Sequence, residues 1–175
     1  MKKLILTMGF LCLISSGYCQ SLQLPVIEPV TLESLPAAVS KSIELKDFEK
    51  AALQASDFII SSPIDDLNNE EVKASKGYLL GWMQDSPDFN FAPDHTIAIF
   101  EDNNLLMWTY MACMAKFTIE NKDQSGNPDF IKLGTWELVA GYIDNPGNNV
   151  PRTDKLNQLC NAYKNNQLSS FLESL

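Results

Sequence analysis

The stretch LLMWTYMACMAKF, residues 105–117, decides the fold because it is apolar almost without interruption. On a helix at about 100° per residue, its apolar side chains occupy three different faces. The faces are formed by Met107, Met111 and Met114; by Leu105, Trp108, Ala112, Ala115 and the following Ile119; and by Leu106, Tyr110, Cys113 and Phe117. A helix that is apolar on every side belongs in the middle of a domain. Lys116 interrupts the stretch before it reaches the ~20 residues that span a bilayer, so the sequence predicts a core helix and not a membrane segment.

Helical spacing of apolar residues continues on both sides of this stretch. Phe48, Ala52, Ala55 and Ile59 share one helical face, and HTIAIF at residues 95–100 favours a short helix because no partner strand is visible. Further helices are predicted from about Leu45 to Ser61, from Asn68 or Asn69 to Asp85, from Asn103 or Asn104 to about Ile119, from Pro128 to Asp144, from Thr153 through Tyr163, and near Leu168–Leu172. The sequence therefore predicts an all-α fold, an irregular bundle of five to seven helices, in a single domain over residues 46–175.

Three of the predicted helices end in the same way, with the sequences FIISSP, WMQDSP and GYIDNP. Each has apolar or aromatic residues, then two polar residues and a proline that cannot continue the helix. This punctuation resembles helical hairpins packed in series, as in tetratricopeptide-like repeats. The prolines are 24 and 59 residues apart, however, and solenoid repeats keep a constant period. An irregular bundle is therefore preferred to a regular solenoid.

The N-terminus has the layout of a secretory signal peptide. Lys2 and Lys3 precede an apolar run over residues 4–14, and a tail rich in small residues ends at Cys19. We expect cleavage after Cys19 and a periplasmic or secreted protein of Gram-negative-type export. A lipoprotein is not expected, because Tyr18 stands where a lipidated cysteine is usually preceded by a small residue.

Residues 20–45 contain Pro25, Pro29 and Pro36 and show no sustained periodicity. Prolines at this density disfavour a helix, so a linker or an extended arm is predicted there. Without residues 1–19 the chain has 11 basic and 22 acidic groups, a formal net charge of −11, and no cluster of Lys and Arg. Nucleic acid is therefore not an expected partner, and membrane insertion after signal cleavage is not expected either.

The sequence offers no catalytic constellation, cofactor motif or metal-ligand cluster. His95 is the single histidine, and no GxSxG motif is present. Cys113 points about 100° away from Met114 on the wheel, so the thiol does not join the methionine face as a copper ligand. The loop over residues 123–129 alternates oxygen side chains, but Pro128 stands where an EF-hand needs glycine. We predict neither a catalytic site nor a resident metal or cofactor.

Cys113 and Cys160 are the cysteines that remain after the predicted cleavage, and both lie on apolar helix faces. In an exported protein two cysteines either form a disulfide or remain as buried free thiols. The sequence does not place their helices side by side, so both alternatives stay open.

Several segments resemble those of a group of small exported bacterial proteins of unassigned function. They are ASDFIISSPI, LLGWMQDSPDFNF and LLMWTYMACMAKFTIEN, and the resemblance covers roughly residues 46–165. It implies a helical fold and an export signal, and it brings no active site with it.

These observations favour an exported, non-enzymatic helical module that binds another protein or a peptide. Aromatic residues near helix ends suggest a groove between helices lined by Tyr78, Trp82 and Trp136. The alternative is a small hydrolase or a ligand carrier whose site has no recognisable motif.

Export generates the first testable prediction. Protein secreted by its native host should have an intact mass that corresponds to a chain beginning at Gln20, with no lipid attached. A mass that includes residues 1–19, or a lipid adduct on Cys19, would contradict it.

Overall fold

The computed structural model describes residues 48–86, 89–101 and 103–175. The described residues contain no strand; their α-helices are α1 (Phe48–Ser61), α2 (Glu70–Asp85), α3 (Asn104–Glu120), α4 (Pro128–Asp144), α5 (Asp154–Lys164) and α6 (Leu168–Glu173). Short 3₁₀ helices cover Ile64–Asn68, His95–Phe100, Lys122–Gln124 and Pro146–Asn148. The predicted all-α bundle is confirmed. The predicted signal peptide (1–19), the arm (20–45) and the expected helix start near Leu45 lie outside the described residues.

Polar side chains fix where the longer helices begin. The side-chain oxygens of Asn69, Asn127 and Thr153 each accept a hydrogen bond from a backbone N–H in the first turn of α2, α4 and α5 respectively. Asn103 does the same for two N–H groups of α3. Such caps typically contribute ~1 kcal/mol each, and they satisfy donors that have no partner within the helix.

Helix α3 lies at the centre of the described structure. It packs against α1 and α4 over most of its length and also contacts α2. Cys113 and Ala112 are fully buried, and Trp108 is 8% exposed, so the core-helix prediction is confirmed. Within the described ranges, no helix combines the length and the apolar character needed to cross a bilayer.

The helices form two packed pairs, α1 with α2 and α3 with α4, which are joined through the contact between α1 and α3. This much is the arrangement expected of helical hairpins in series. The last two helices do not repeat this arrangement, because α5 and α6 both pack on α4. The structure is therefore an irregular bundle in which the last two helices pack on α4, in agreement with the irregular spacing of the proline-ended helices.

Helices α3 and α4 approach closely at Gly134. A methyl group at this position would lie 2.0 Å from Cζ of Phe117, far inside van der Waals contact. The Phe117 ring also packs against Phe130, with 5.3 Å between the ring centroids. Glycine fits here because the Phe117 ring occupies the space that a side chain would need.

Lys76 of α2 is buried, although it carries a charge. Its ammonium group donates a hydrogen bond to the carbonyl of Leu67 and lies 5.4 Å from the ring centroid of Trp108. The carbonyl acceptor and the aromatic face both favour the charged form. Burial nevertheless lowers the pKa of Lys76 to about 8, with a smaller contribution from the nearby charge of Lys73.

The close approach at Gly134 gives the second prediction. Gly134→Ala should lower the free energy of unfolding by about 1–3 kcal/mol, because the Phe117 ring must be displaced. Gly81→Ala is the matched control, since Gly81 is also helical and a Cβ added there would have no atom within 4 Å. The control should be neutral or stabilising by up to ~1 kcal/mol. Urea titrations of both variants test this, and equal effects at the two glycines would contradict it.

Lys76 gives the third prediction. Its pKa is about 8 in the folded protein and 10.5 when the side chain is free, so between these values the unfolded chain binds more protons than the folded one. The contribution of Lys76 to the free energy of unfolding therefore rises with pH between about pH 8 and pH 10.5. Relative to Lys76→Met, the wild-type free energy of unfolding should increase by about 1–3 kcal/mol between pH 7 and pH 10. Urea titrations at several pH values measure the difference, and a difference that stays constant would contradict the prediction.

Candidate functional site

A cavity of about 490 Å³ opens beside the central helix. Its walls are the non-helical segment at residues 90–94, one face of α3, the loop at residues 125–126 and the first two turns of α4. We call it the Lys132 cavity, after the basic residue in its wall. Its volume lies within the roughly 300–1,000 Å³ typical of small-molecule sites.

Helices α3 and α4 each line the Lys132 cavity with one face that carries both apolar and hydroxyl side chains. On α3 the lining residues are Tyr110, Met114 and Thr118, which are spaced at i, i+4 and i+8. On α4, Ile131 and Thr135 line it at i and i+4. Residues four apart lie on the same side of a helix, so each helix contributes both apolar and hydroxyl groups to the wall.

Asp94 and Lys132 form an ion pair in the wall of the cavity. The Lys132 ammonium lies 2.7 Å from one carboxylate oxygen of Asp94. The other oxygen accepts hydrogen bonds from the backbone N–H of Thr96, at 2.9 Å, and from the Thr96 hydroxyl. Burial alone would raise the pKa of Asp94, but the hydrogen bonds from Lys132 and Thr96 bring it below its usual value. Asp94 is therefore a fixed carboxylate that holds Lys132 in place.

The ion pair is anchored in the core through Trp136. The indole N–H of Trp136 donates to the Thr96 hydroxyl oxygen at 3.0 Å, and that hydroxyl donates in turn to Asp94. Trp136 is fully buried. The four residues form a continuous chain of hydrogen bonds, which we call the Trp136–Lys132 network. Trp136 and Thr96 are buried, and Asp94 and Lys132 are partly exposed at the cavity.

Two hydroxyl groups in the cavity wall remain available for hydrogen bonding. Tyr110 and Thr118 both line the cavity, and neither hydroxyl makes a hydrogen bond to another described residue. The pKa of Tyr110 is raised, first by burial and then by the negative charge of Asp94. Tyr110 therefore stays a neutral hydroxyl that can donate a hydrogen bond to a ligand.

The groove predicted from Tyr78, Trp82 and Trp136 is not formed by these three residues. Trp136 is 0% exposed and packs on Tyr110 with 5.2 Å between ring centroids, so it cannot line an open surface. It lies on the apolar face of α4, where helical spacing places core residues. Tyr78 is also buried, and its hydroxyl donates to the carbonyl of Phe48. That Tyr78 or Trp82 contacts a partner stays a prediction.

Trp82 belongs instead to a partly buried aromatic cluster with Phe89 and Phe91, whose ring centroids are 5.3–5.9 Å apart. The segment that carries Phe89 and Phe91 also carries Asn90, which lines the Lys132 cavity. One short non-helical segment therefore contributes to both the aromatic cluster and the cavity wall.

The residues considered for catalysis are not gathered at the cavity. Cys113 and Cys160 are free, buried thiols in the structure, on α3 and α5. Burial raises the pKa of both thiols, although Arg152, which donates to the Cys160 sulfur, opposes the rise there. A buried thiol with a raised pKa is a poor nucleophile. His95 is exposed at the start of its 3₁₀ helix and does not line the cavity.

The polar loop at residues 123–129, which has the alternating oxygens of a calcium loop, forms part of the cavity rim. Ser125 and Gly126 line the cavity, and Asn127 and Pro128 begin α4. Across the described part of the chain, no three His, Cys, Asp or Glu side chains are grouped as metal ligands would be.

Sequence reasoning missed the residues of the Lys132 cavity. The signal that was available is the spacing of Tyr110, Met114 and Thr118, which places two of the hydroxyls of α3 four residues on either side of Met114. Nothing in the sequence pairs Asp94 with Lys132, because they are 38 positions apart and belong to different elements. Comparison of the chain with protein-family models, curated proteins and solved structures gives no match, so the chemistry of the cavity must be interpreted from its own residues.

Proposed function

We propose that the protein is a non-enzymatic helical module that binds a small organic ligand, of the size of a short peptide segment, in the Lys132 cavity. The observation that carries the proposal is the cavity of about 490 Å³ with both apolar and polar groups in its wall. Small-molecule sites are concave and partly apolar, and a few placed polar groups orient the ligand. Met114 and Ile131 supply apolar contact, and Tyr110 and Lys132 supply the polar groups.

Binding is favoured over hydrolysis because the cavity lacks an activated nucleophile. Ser125 is at the rim, but no hydrogen bond joins it to a basic side chain within the described residues. A serine hydroxyl needs an adjacent base to attack a substrate. Lys132, the basic residue in the wall, is engaged by Asp94.

The predicted export determines in which compartment the ligand would be bound. A protein that leaves the cytoplasm through its predicted signal peptide would meet its ligand in the periplasm or outside the cell. The pocket is formed by helices that also form the core, so we expect it to exist before the ligand arrives. This favours a carrier or a recognition module, and the partner is a small molecule or a short stretch of another protein.

Blocking the cavity tests the proposal. Gly126 lines the cavity and has no atom within 4 Å of the position a Cβ would take, so Gly126→Trp should cover the mouth without disturbing the fold. The control is Gly81→Trp, since a Cβ added at Gly81 also has no atom within 4 Å and Gly81 does not line the cavity. In a screen of small organic fragments by amide NMR shifts, hits should move resonances of α3 and α4 residues around the cavity. Gly126→Trp should weaken these hits by about tenfold or more, an energy of ~1.4 kcal/mol, and the control should not.

Two results would overturn the proposal. The first is a screen in which no fragment moves resonances around the cavity. The second is a set of hits that Gly126→Trp and Gly81→Trp affect equally, because the site would then lie elsewhere.

A further inference from the structure

We infer that the ligand of the Lys132 cavity carries a carboxylate group, which Lys132 binds, and an apolar group that packs on Met114 and Ile131. The inference rests on the proposed function and deepens it. The proposed function states that a ligand binds in the cavity, and the inference adds which chemical groups that ligand carries.

Lys132 has the donors and the fixed position that such recognition requires. An ammonium group has three N–H donors, and the contact with Asp94 at 2.7 Å takes one of them. The Trp136–Lys132 network ties Asp94 to the core, and the ion pair with Asp94 positions the ammonium group at the wall. A donor held in place loses less entropy when it binds a ligand.

The same chain shows that one ammonium can serve two carboxylates. Lys116 lies 2.8 Å from a carboxylate oxygen of Asp57 and 2.7 Å from one of Glu120. The pKa of Lys116 is raised, because these hydrogen bonds outweigh the effect of burial. Lys132 has one such partner, Asp94, and keeps donors with which it can bind a carboxylate of a ligand.

Two hydroxyl groups in the wall also suit an anion, and they act against the repulsion from the Asp94 and Asp129 carboxylates. Tyr110 and Thr118 each have a hydroxyl hydrogen that no described acceptor takes. Hydroxyl and ammonium donors together make charge-assisted hydrogen bonds to a carboxylate.

A cationic ligand would fit less well. Its charge would lie beside the Lys132 ammonium. The Asp94 carboxylate already accepts three hydrogen bonds, whereas Lys132 has two N–H donors left. Asp129 is the other acid in the wall, but it is exposed, and salt and water screen its attraction.

A carboxylate with a neighbouring apolar group occurs in small organic acids and at the C-terminus of a peptide. Both sources present the same chemistry to Lys132. They differ in the amide that precedes the carboxylate in a peptide, for which Asn90 in the wall could provide a partner. The experiment therefore uses one probe of each kind, with its neutral amide as the matched control.

The test is a titration of the full protein with hexanoate, hexanamide, N-acetyl-leucine and N-acetyl-leucinamide, followed by amide NMR shifts. At least one acid should bind about tenfold or more tightly than its amide, which is the scale of a hydrogen bond to a charged group. Lys132→Met should remove this preference, and Lys132→Arg should keep most of it. Lys116→Met, which removes a lysine of similar surroundings outside the cavity, should leave it unchanged.

Every outcome bears on the inference. Tighter binding of N-acetyl-leucine than of hexanoate supports recognition of a peptide C-terminus, and the reverse supports a small organic acid. Equal affinities of the acids and their amides overturn the inference, but they leave the proposal of ligand binding in the cavity intact. Failure of all four probes to bind, when other fragments do bind in the cavity, has the same meaning. A preference for acids that survives Lys132→Met assigns the carboxylate to another residue and overturns the inference as well.

Discussion

The structure depends on the requirement that α3 be covered on every side. Its apolar residues do not form one stripe, so no single partner helix could shield them from water. Helix α1 covers one side and α4 another, and α2 and the 3₁₀ helix at His95–Phe100 complete the cover. The chain therefore cannot form a regular series of hairpins in which each helix has an exposed face.

The Lys132 cavity lies beside this central helix. Helices α3 and α4 approach closely at Gly134, where the Phe117 ring fills the space, and the cavity is lined by both helices and by the segment at residues 90–94. Charged groups in such a wall need partners, since an unpaired charge is costly to remove from water. Asp94 and Lys132 satisfy each other and are tied to the core through Thr96 and Trp136.

The sequence predicted the fold well because its signals are local. Caps such as Asn69 and Thr153, and the proline that opens α4, act within a single turn and can be identified from a few neighbouring residues. The site depends on contacts between distant residues, which periodicity does not encode. Trp136 shows the difference. Its helical face was identified correctly, but an aromatic residue on an apolar face is compatible with the core and with a groove. In the structure Trp136 is buried and packs against Tyr110, so it belongs to the core.

The shared segment at residues 89–91 has a consequence for how the protein can be observed. Asn90 is in the cavity wall, and its neighbours Phe89 and Phe91 lie against the indole of Trp82, with ring centroids 5.8 and 5.3 Å away. Because Asn90 is covalently joined to both phenylalanines, a displacement of Asn90 by a ligand would also change the surroundings of that indole. Indole emission responds to the polarity and packing around the ring. The chain thus has a built-in optical reporter on its own pocket, positioned beside the cavity and not inside it.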